Sequence, residues 1–173
     1  MPAPGTCGTV APVRATVKIE EARPGRQDRV TWAWAAGIPL AKTDFGAPTS
    51  GVTGYVLCLY SPTGSASRGL LHVAGGCPGG ECWVDVRRGF RYVYVATNQP
   101  PDRTLRVRLS AAGLHGATIA ADGKGSAVTL PSLPLSLPVR VRLARTDGGG
   151  CWEATYGTRI SANTATRFRA RAD

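Results

Sequence analysis

Residues 75–94, GGCPGGECWVDVRRGFRYVY, decide the fold class. Pro78-Gly79-Gly80 forms a turn bracketed by Cys77 and Cys82, and residues 82–87 and 90–96 are short runs rich in valine and aromatic side chains. Arg88-Gly89 breaks them apart, so the stretch reads as strand, turn, strand. The same texture recurs in both directions. Residues 13–19 (VRATVKI) alternate, with Val13, Ala15, Val17 and Ile19 on one face, and residues 28–36 place Val30, Trp32 and Trp34 on one face. Residues 55–60 (YVLCLY) are apolar on both faces, which predicts a central strand. Residues 69–74, 105–109, 117–121, 151–156 and 167–172 add further short strands, with a turn at 122–125. Between 133 and 143 leucine and valine hold one parity and proline and arginine the other, and the prolines bar the first half from a central position.

About ten short strands at the spacing of a sandwich, with no helical period, predict an all-β domain. The expected architecture is a single β-sandwich with Greek-key connections, immunoglobulin-like or jelly-roll-like, and a barrel is the runner-up. Residues 1–12, rich in Pro, Gly and Thr, read as a flexible lead-in, and residues 13–173 as one domain. Residues 37–54 form a loop long enough to suggest a functional role.

Composition narrows the partners. Hydrophobic residues at 43% and charged ones at 18% exclude a mostly disordered chain. No apolar run approaches the roughly 18 residues of a membrane span. The net charge of +10 is almost wholly arginine, since Lys18, Lys42 and Lys124 are the only lysines. Such an excess favours acidic polymers. Arginine stripes occupy one parity of three strands: Arg106/Arg108, Arg140/Arg142 and Arg167/Arg169/Arg171. Were those strands neighbours, they would build a basic sheet face suited to an anionic glycan or nucleic acid. The absence of a nucleic-acid motif, and of aromatics interleaved with these arginines, argues against specific nucleic-acid recognition.

Cys58, Cys77, Cys82 and Cys151 lie in strand-like runs or beside turns and read as two disulfides, with Cys7 left over. All three pairings of the four stay open. Zinc ligation by cysteines is the rival reading, weakened because Cys58 and Cys151 lack the paired spacing of Cys77 and Cys82. Disulfides imply an extracytoplasmic location, although no signal peptide is visible at Met1, and an upstream export signal is expected to reconcile the two.

Three tryptophans compete for function. Trp32 and Trp34 would make a sugar-stacking platform if exposed, but Val30 on the same face favours a core role. Trp83 shares parity with Asp85 and Arg87, whereas Cys82, Val84 and Val86 take the other, so a ligand-binding cluster of Trp83, Asp85 and Arg87 is expected outside. His72 and His115 are accompanied by no catalytic motif, no cofactor is implied, and no enzyme activity is expected.

The order YVLCLY, GGCPGGECW, Gly-Phe-x-Tyr, LPSLPLSLPV, GGGCWEATY and a final Asn-x-x-x-x-Phe-x-Ala resembles an uncharacterised family of small secreted bacterial β-rich domains, often at the C-termini of extracellular proteins. The two Cys-Trp pairs are the most specific part of the resemblance. It implies export and a four-cysteine framework, and no catalytic residue. The expected function is a non-catalytic extracytoplasmic module in structure or cell-surface attachment, with another surface protein or a glycan, anionic or neutral, as partner. A carbohydrate-binding module using exposed aromatics is the alternative, and a hydrolase with a fold-assembled site a distant third.

Overall fold

The computed structural model describes residues 7, 14–22, 27–36, 39–60, 62, 67–76, 83–96, 103–111 and 116–173. Its strands are β1 (Arg14–Glu20), β2 (Arg29–Ala35), β3 (Tyr55–Tyr60), β4 (Ser67–Val73), β5 (Trp83–Val86) and β6 (Gly89–Ala96). They continue as β7 (Arg103–Ser110), β8 (Thr118–Lys124), β9 (Val139–Arg145), β10 (Cys151–Tyr156), β11 (Ile160–Thr164) and β12 (Arg167–Arg171). An eight-stranded sheet runs β11-β12-β1-β2-β8-β7-β6-β5 and a four-stranded sheet runs β10-β9-β3-β4. Every pairing is antiparallel. Neither sheet closes on itself, so the architecture is a sandwich and not a barrel.

The core lies between the sheets and follows the period-two pattern. Ala15, Val17 and Ile19 of β1, Val30, Trp32 and Trp34 of β2, and Leu105, Val107 and Leu109 of β7 point inward. They meet Leu57 and Leu59 of β3, Val141 and Leu143 of β9, and Trp152 and Tyr156 of β10. Two indole N–H groups cross this layer: Trp32 Nε1 donates to the Tyr156 hydroxyl at 3.0 Å and Trp34 Nε1 to the Glu153 carbonyl at 3.3 Å. Both tryptophans thus bury their rings without leaving a donor unpaired. Burial pushes the Tyr156 phenol well above its ordinary value, although the Trp32 hydrogen bond pulls the other way.

The long connection between β2 and β3 is a packed plug. Two short 3-10 turns, Lys42–Phe45 and Pro48–Ser50, shape it. Phe45 is fully buried against Trp152, and its carbonyl accepts the Tyr55 hydroxyl. Arg145 clamps the plug from β9: its Nε and Nη2 donate to Asp147 at 2.9 and 2.7 Å, and its Nη1 to the Asp44 carbonyl at 2.9 Å. The buried Thr53 hydroxyl completes the network by donating to Asp147 Oδ2 at 2.6 Å.

The turn expected at 122–125 begins later than its composition suggests, because β8 continues through Asp122 and Gly123 to Lys124. Gly123 sits in the strand because Leu71 and Val128 pack over it, and a Cβ there would meet Val128 Cγ1 at 2.8 Å. The proline-bearing segment does stay out of the sheets until Val139. It is held at Leu135, whose N–H donates to Asn163 Oδ1 at 2.9 Å and whose carbonyl accepts from Asn163 Nδ2 at 2.8 Å.

Candidate anion-binding groove

The outer face of the eight-stranded sheet is long-chained at its flanks and short-chained in its middle. Register places Arg171, Thr16, Ala33, Ala120, Arg108 and Arg91 in one row across β12, β1, β2, β8, β7 and β6. The adjoining row runs Arg14, Ala35, Thr118, Ser110. Alanine is a poor strand former, yet Ala33 and Ala120 stand side by side, with Ala35 in the next row, where a solvated face ordinarily carries larger polar or β-branched residues. Arginine walls over an alanine floor leave a groove of about 510 Å³, reached also by Arg159. A second hollow of about 310 Å³ shares Ala33, Arg108 and Ala120 with it and extends the groove towards Arg91 and Val93.

The charges in this groove are arranged against one another. Arg91 and Arg108 are direct cross-strand partners, a like-charge pairing that costs stability in an antiparallel sheet. At the other flank Arg14 sits diagonally from Arg171, since Thr16 is the residue opposite Arg171, and Arg159 lines the same hollow. The acids of this face are paired with other groups, and one of them, Asp122, lines the smaller hollow. Glu20 bridges Lys18 at 2.9 Å and Arg169 at 2.8 Å, and Asp122 accepts from Arg29 and Thr31, both at 2.8 Å. Burial raises the Glu20 carboxyl, but Arg169 and Lys18 outweigh it and hold the group below its ordinary value. Among the described residues no carboxylate forms an ion pair with Arg14, Arg91, Arg108, Arg159 or Arg171.

Two of the three arginine stripes therefore reach this face, on β7 and β12, but they are not neighbours: β1, β2 and β8 separate them. The third lies on the other sheet. Arg142 is buried, donating from Nε and Nη2 to Glu153 at 2.9 and 2.8 Å beneath the Tyr60 ring, while Arg140 stacks on the same ring.

The tryptophan expectations divide. Trp32 and Trp34 are core residues, as Val30 on their face suggested, and form no platform. Trp83 is a correction: it points inward at 7% exposure, packed against Tyr92 and Tyr55 with ring centroids 5.1 and 5.3 Å away, and its Nε1 donates to the Ala74 carbonyl at 2.9 Å. The inversion follows from the pairing of Trp83 with the inward-facing Tyr92, while Val86 is left exposed. Asp85 shares Trp83's parity but sits towards the end of β5, where Lys42 Nζ reaches it at 2.6 Å. Arg87 is exposed in the following turn, so the expected Trp83-Asp85-Arg87 cluster does not form.

The cysteine framework is also corrected. Cys151 is bonded to Cys7, expected to be the odd one, across 144 residues, and Cys58 is a buried free thiol. Cys58 and Cys151 cannot bond because β9 lies between their strands. Two inter-strand steps of roughly 4.8 Å exceed the ~7 Å that a disulfide spans between Cα atoms. Burial raises the Cys58 thiol above its ordinary value, against hydrogen bonding from Tyr60 and the charge of Arg142. Cys77, Cys82 and His115 lie outside the described residues. His72 is exposed on β4. Among the described residues no three His, Cys, Asp or Glu side chains gather into a metal site, and no helix is long and apolar enough to cross a membrane.

Fold and groove define a disulfide-bonded, arginine-rich β-sandwich. No family model, curated protein or solved structure matches the chain.

The groove was not foreseen because its floor is alanine. Ala33 and Ala35 share a face of β2 by strand alternation, but only the register of β2 with β8 sets Ala120 beside them.

Proposed function

We propose that the chain is a non-catalytic module of an oxidising, extracytoplasmic compartment that binds an anionic ligand in the arginine-walled groove, and so serves attachment. The observation that carries this reading is the facing of Arg91 and Arg108 at one flank and the gathering of Arg14, Arg159 and Arg171 at the other. Like charges so placed oppose folding until an anion neutralises them. Guanidinium groups suit carboxylate, sulfate and phosphate because their planar fork donates two parallel hydrogen bonds.

The lining supports binding over catalysis. Arginines, Thr16, Thr118 and alanines dominate the larger hollow, and none of its lining residues is His, Cys, Asp or Glu. It therefore offers no side chain suited to exchange protons near neutral pH. The Cys7–Cys151 disulfide and the resemblance of the Cys-Trp segments to secreted bacterial domains support export. Stacking of neutral sugars is the weaker reading, since Trp32, Trp34 and Trp83 are all buried.

Replacing one member of a like-charge pair separates the two effects. Arg108→Thr is expected to stabilise the anion-free protein by about 0.2–1 kcal/mol, relieving Arg91. The same change is expected to reduce the thermal shift produced by sulfate or pyrophosphate. The reading is wrong if these anions raise the melting temperature no more than chloride at matched ionic strength.

A further inference from the structure

The two arginine clusters are too far apart for one small ion. Four inter-strand steps separate Arg171 from Arg108, about 19 Å at roughly 4.8 Å per strand. A lone sulfate or carboxylate engages one flank and leaves the other uncompensated. Between the clusters the floor offers the methyls of Ala33, Ala35 and Ala120 and the side chains of Thr16 and Thr118, and the smaller hollow continues it past Arg108. We infer that the groove holds a linear acidic polysaccharide laid across the strands, its charged groups on the two arginine clusters and its intervening rings on the alanine–threonine floor. This rests on the anion-binding reading above and names the ligand class.

Three observations select this occupant. Single-stranded nucleic acid is gripped by stacking its bases on aromatic rings, whereas Trp32, Trp34 and Tyr92 in these strands are turned to the core. An extended peptide adds to a free sheet edge, but β1, β2 and β8, which carry the floor, are each paired on both sides. A second copy of the chain would bring the same positive face against itself. A sugar chain needs no edge and no π-face. Its rings present C–H groups to the methyls and hydroxyls to the threonines, and its acidic groups recur along its length, as the two separated clusters require.

Isothermal titration calorimetry in low-salt buffer tests this with oligogalacturonate octamer, heparin octasaccharide, galacturonate monomer, neutral maltooctaose and a 20-nucleotide deoxythymidylate strand. At least one acidic octasaccharide is expected to bind, the monomer at least ~10-fold more weakly, and maltooctaose not at all, with affinity falling as salt is added. Arg171→Ala and Arg108→Ala, from opposite flanks, should each weaken the octamer by about tenfold, the loss of one charge-assisted hydrogen bond. Ala120→Trp fills the floor without changing charge and should weaken it comparably, with near-UV circular dichroism confirming that the variant is folded.

An octamer no tighter than the monomer, or indifferent to a folded Ala120→Trp variant, overturns the spanning arrangement while leaving an anion site in place. Tighter binding of the deoxythymidylate strand than of both acidic octasaccharides assigns the groove to nucleic acid and overturns it equally. Failure of every acidic titrant to bind, together with no thermal shift from sulfate or pyrophosphate, removes the anion-binding reading itself.

Discussion

Asp147 joins two loops with one carboxylate. Oδ1 accepts from Arg145 Nε and the Gly149 N–H, and Oδ2 from Arg145 Nη2 and the buried Thr53 hydroxyl. The Arg145 hydrogen bond, with Thr53 and Gly149 adding to it and burial opposing, holds this carboxyl far below its ordinary value of 3.8. A depressed folded value means that the unfolded chain takes up the proton first. The stabilisation is therefore complete above the ordinary value and is lost as pH falls from about 4 towards the folded value. Denaturant midpoints measured from pH 6 down to pH 2 should show this loss in the natural chain and a shallower one in Asp147→Asn. That variant should also be less stable at neutral pH by about 2–3 kcal/mol, because hydrogen bonds to a charged partner are exchanged for weaker ones. An unchanged acid limb in Asp147→Asn would contradict the assignment. None of this was readable from the order of residues, since Asp147 sits in an Asp-Gly-Gly-Gly turn that looks like a simple reversal. Arg142 shows the same limit. Its parity on β9 is outward as expected, but outward does not mean exposed once Glu153 and Tyr60 close over it.

At the scale of elements, alternation was legible wherever one face of a strand was uniformly apolar, as in β1, β7 and β12. It failed in β5, where Trp83 and Asp85 compete with Val84 and Val86 and four residues carry too little pattern. There the partner strand decides, because Tyr92 and Phe90 already face the core. It failed again at Gly123, where Asp-Gly mimics a turn. That glycine makes room for Leu71 of the opposite sheet and for Val128 of the segment leading to β9. Gly123→Ala should accordingly destabilise the protein by about 1–3 kcal/mol through overpacking, since the Leu71 and Val128 side chains crowd the site and both must shift to admit a methyl group. If urea unfolding shows Gly123→Ala to be neutral or stabilising, the segment around Val128 moves more freely than its packing implies.

For the molecule as a whole, the class of fold followed from turn spacing and strand composition, while the sheet order did not. The chain passes between sheets after β2, β4, β8 and β10, which places the last strand, β12, beside the first, β1. Arginine parity predicts a basic face only if the three striped strands are neighbours, and they are not. The groove depended on which strands lie between β12 and β7, a matter of long-range pairing that no local run of residues specifies. The disulfide was misassigned for the same reason, and its true position has a mechanical consequence. Bonding Cys7 to Cys151 turns the chain into a covalent ring that encloses β1 through β9, with β11 and β12 beyond it. Pulled between residues 7 and 173, the oxidised protein can lengthen by no more than about 75 Å, the extended length of residues 152–173. Force spectroscopy should record that short extension in oxidising buffer. After reduction the ring opens, and roughly 500 Å of further chain becomes available to unravel. A load applied between residues 7 and 173 would peel β12, β11 and β10 away in turn and then be carried by the sulfur–sulfur bond, so β1 through β9 inside the ring would be spared it.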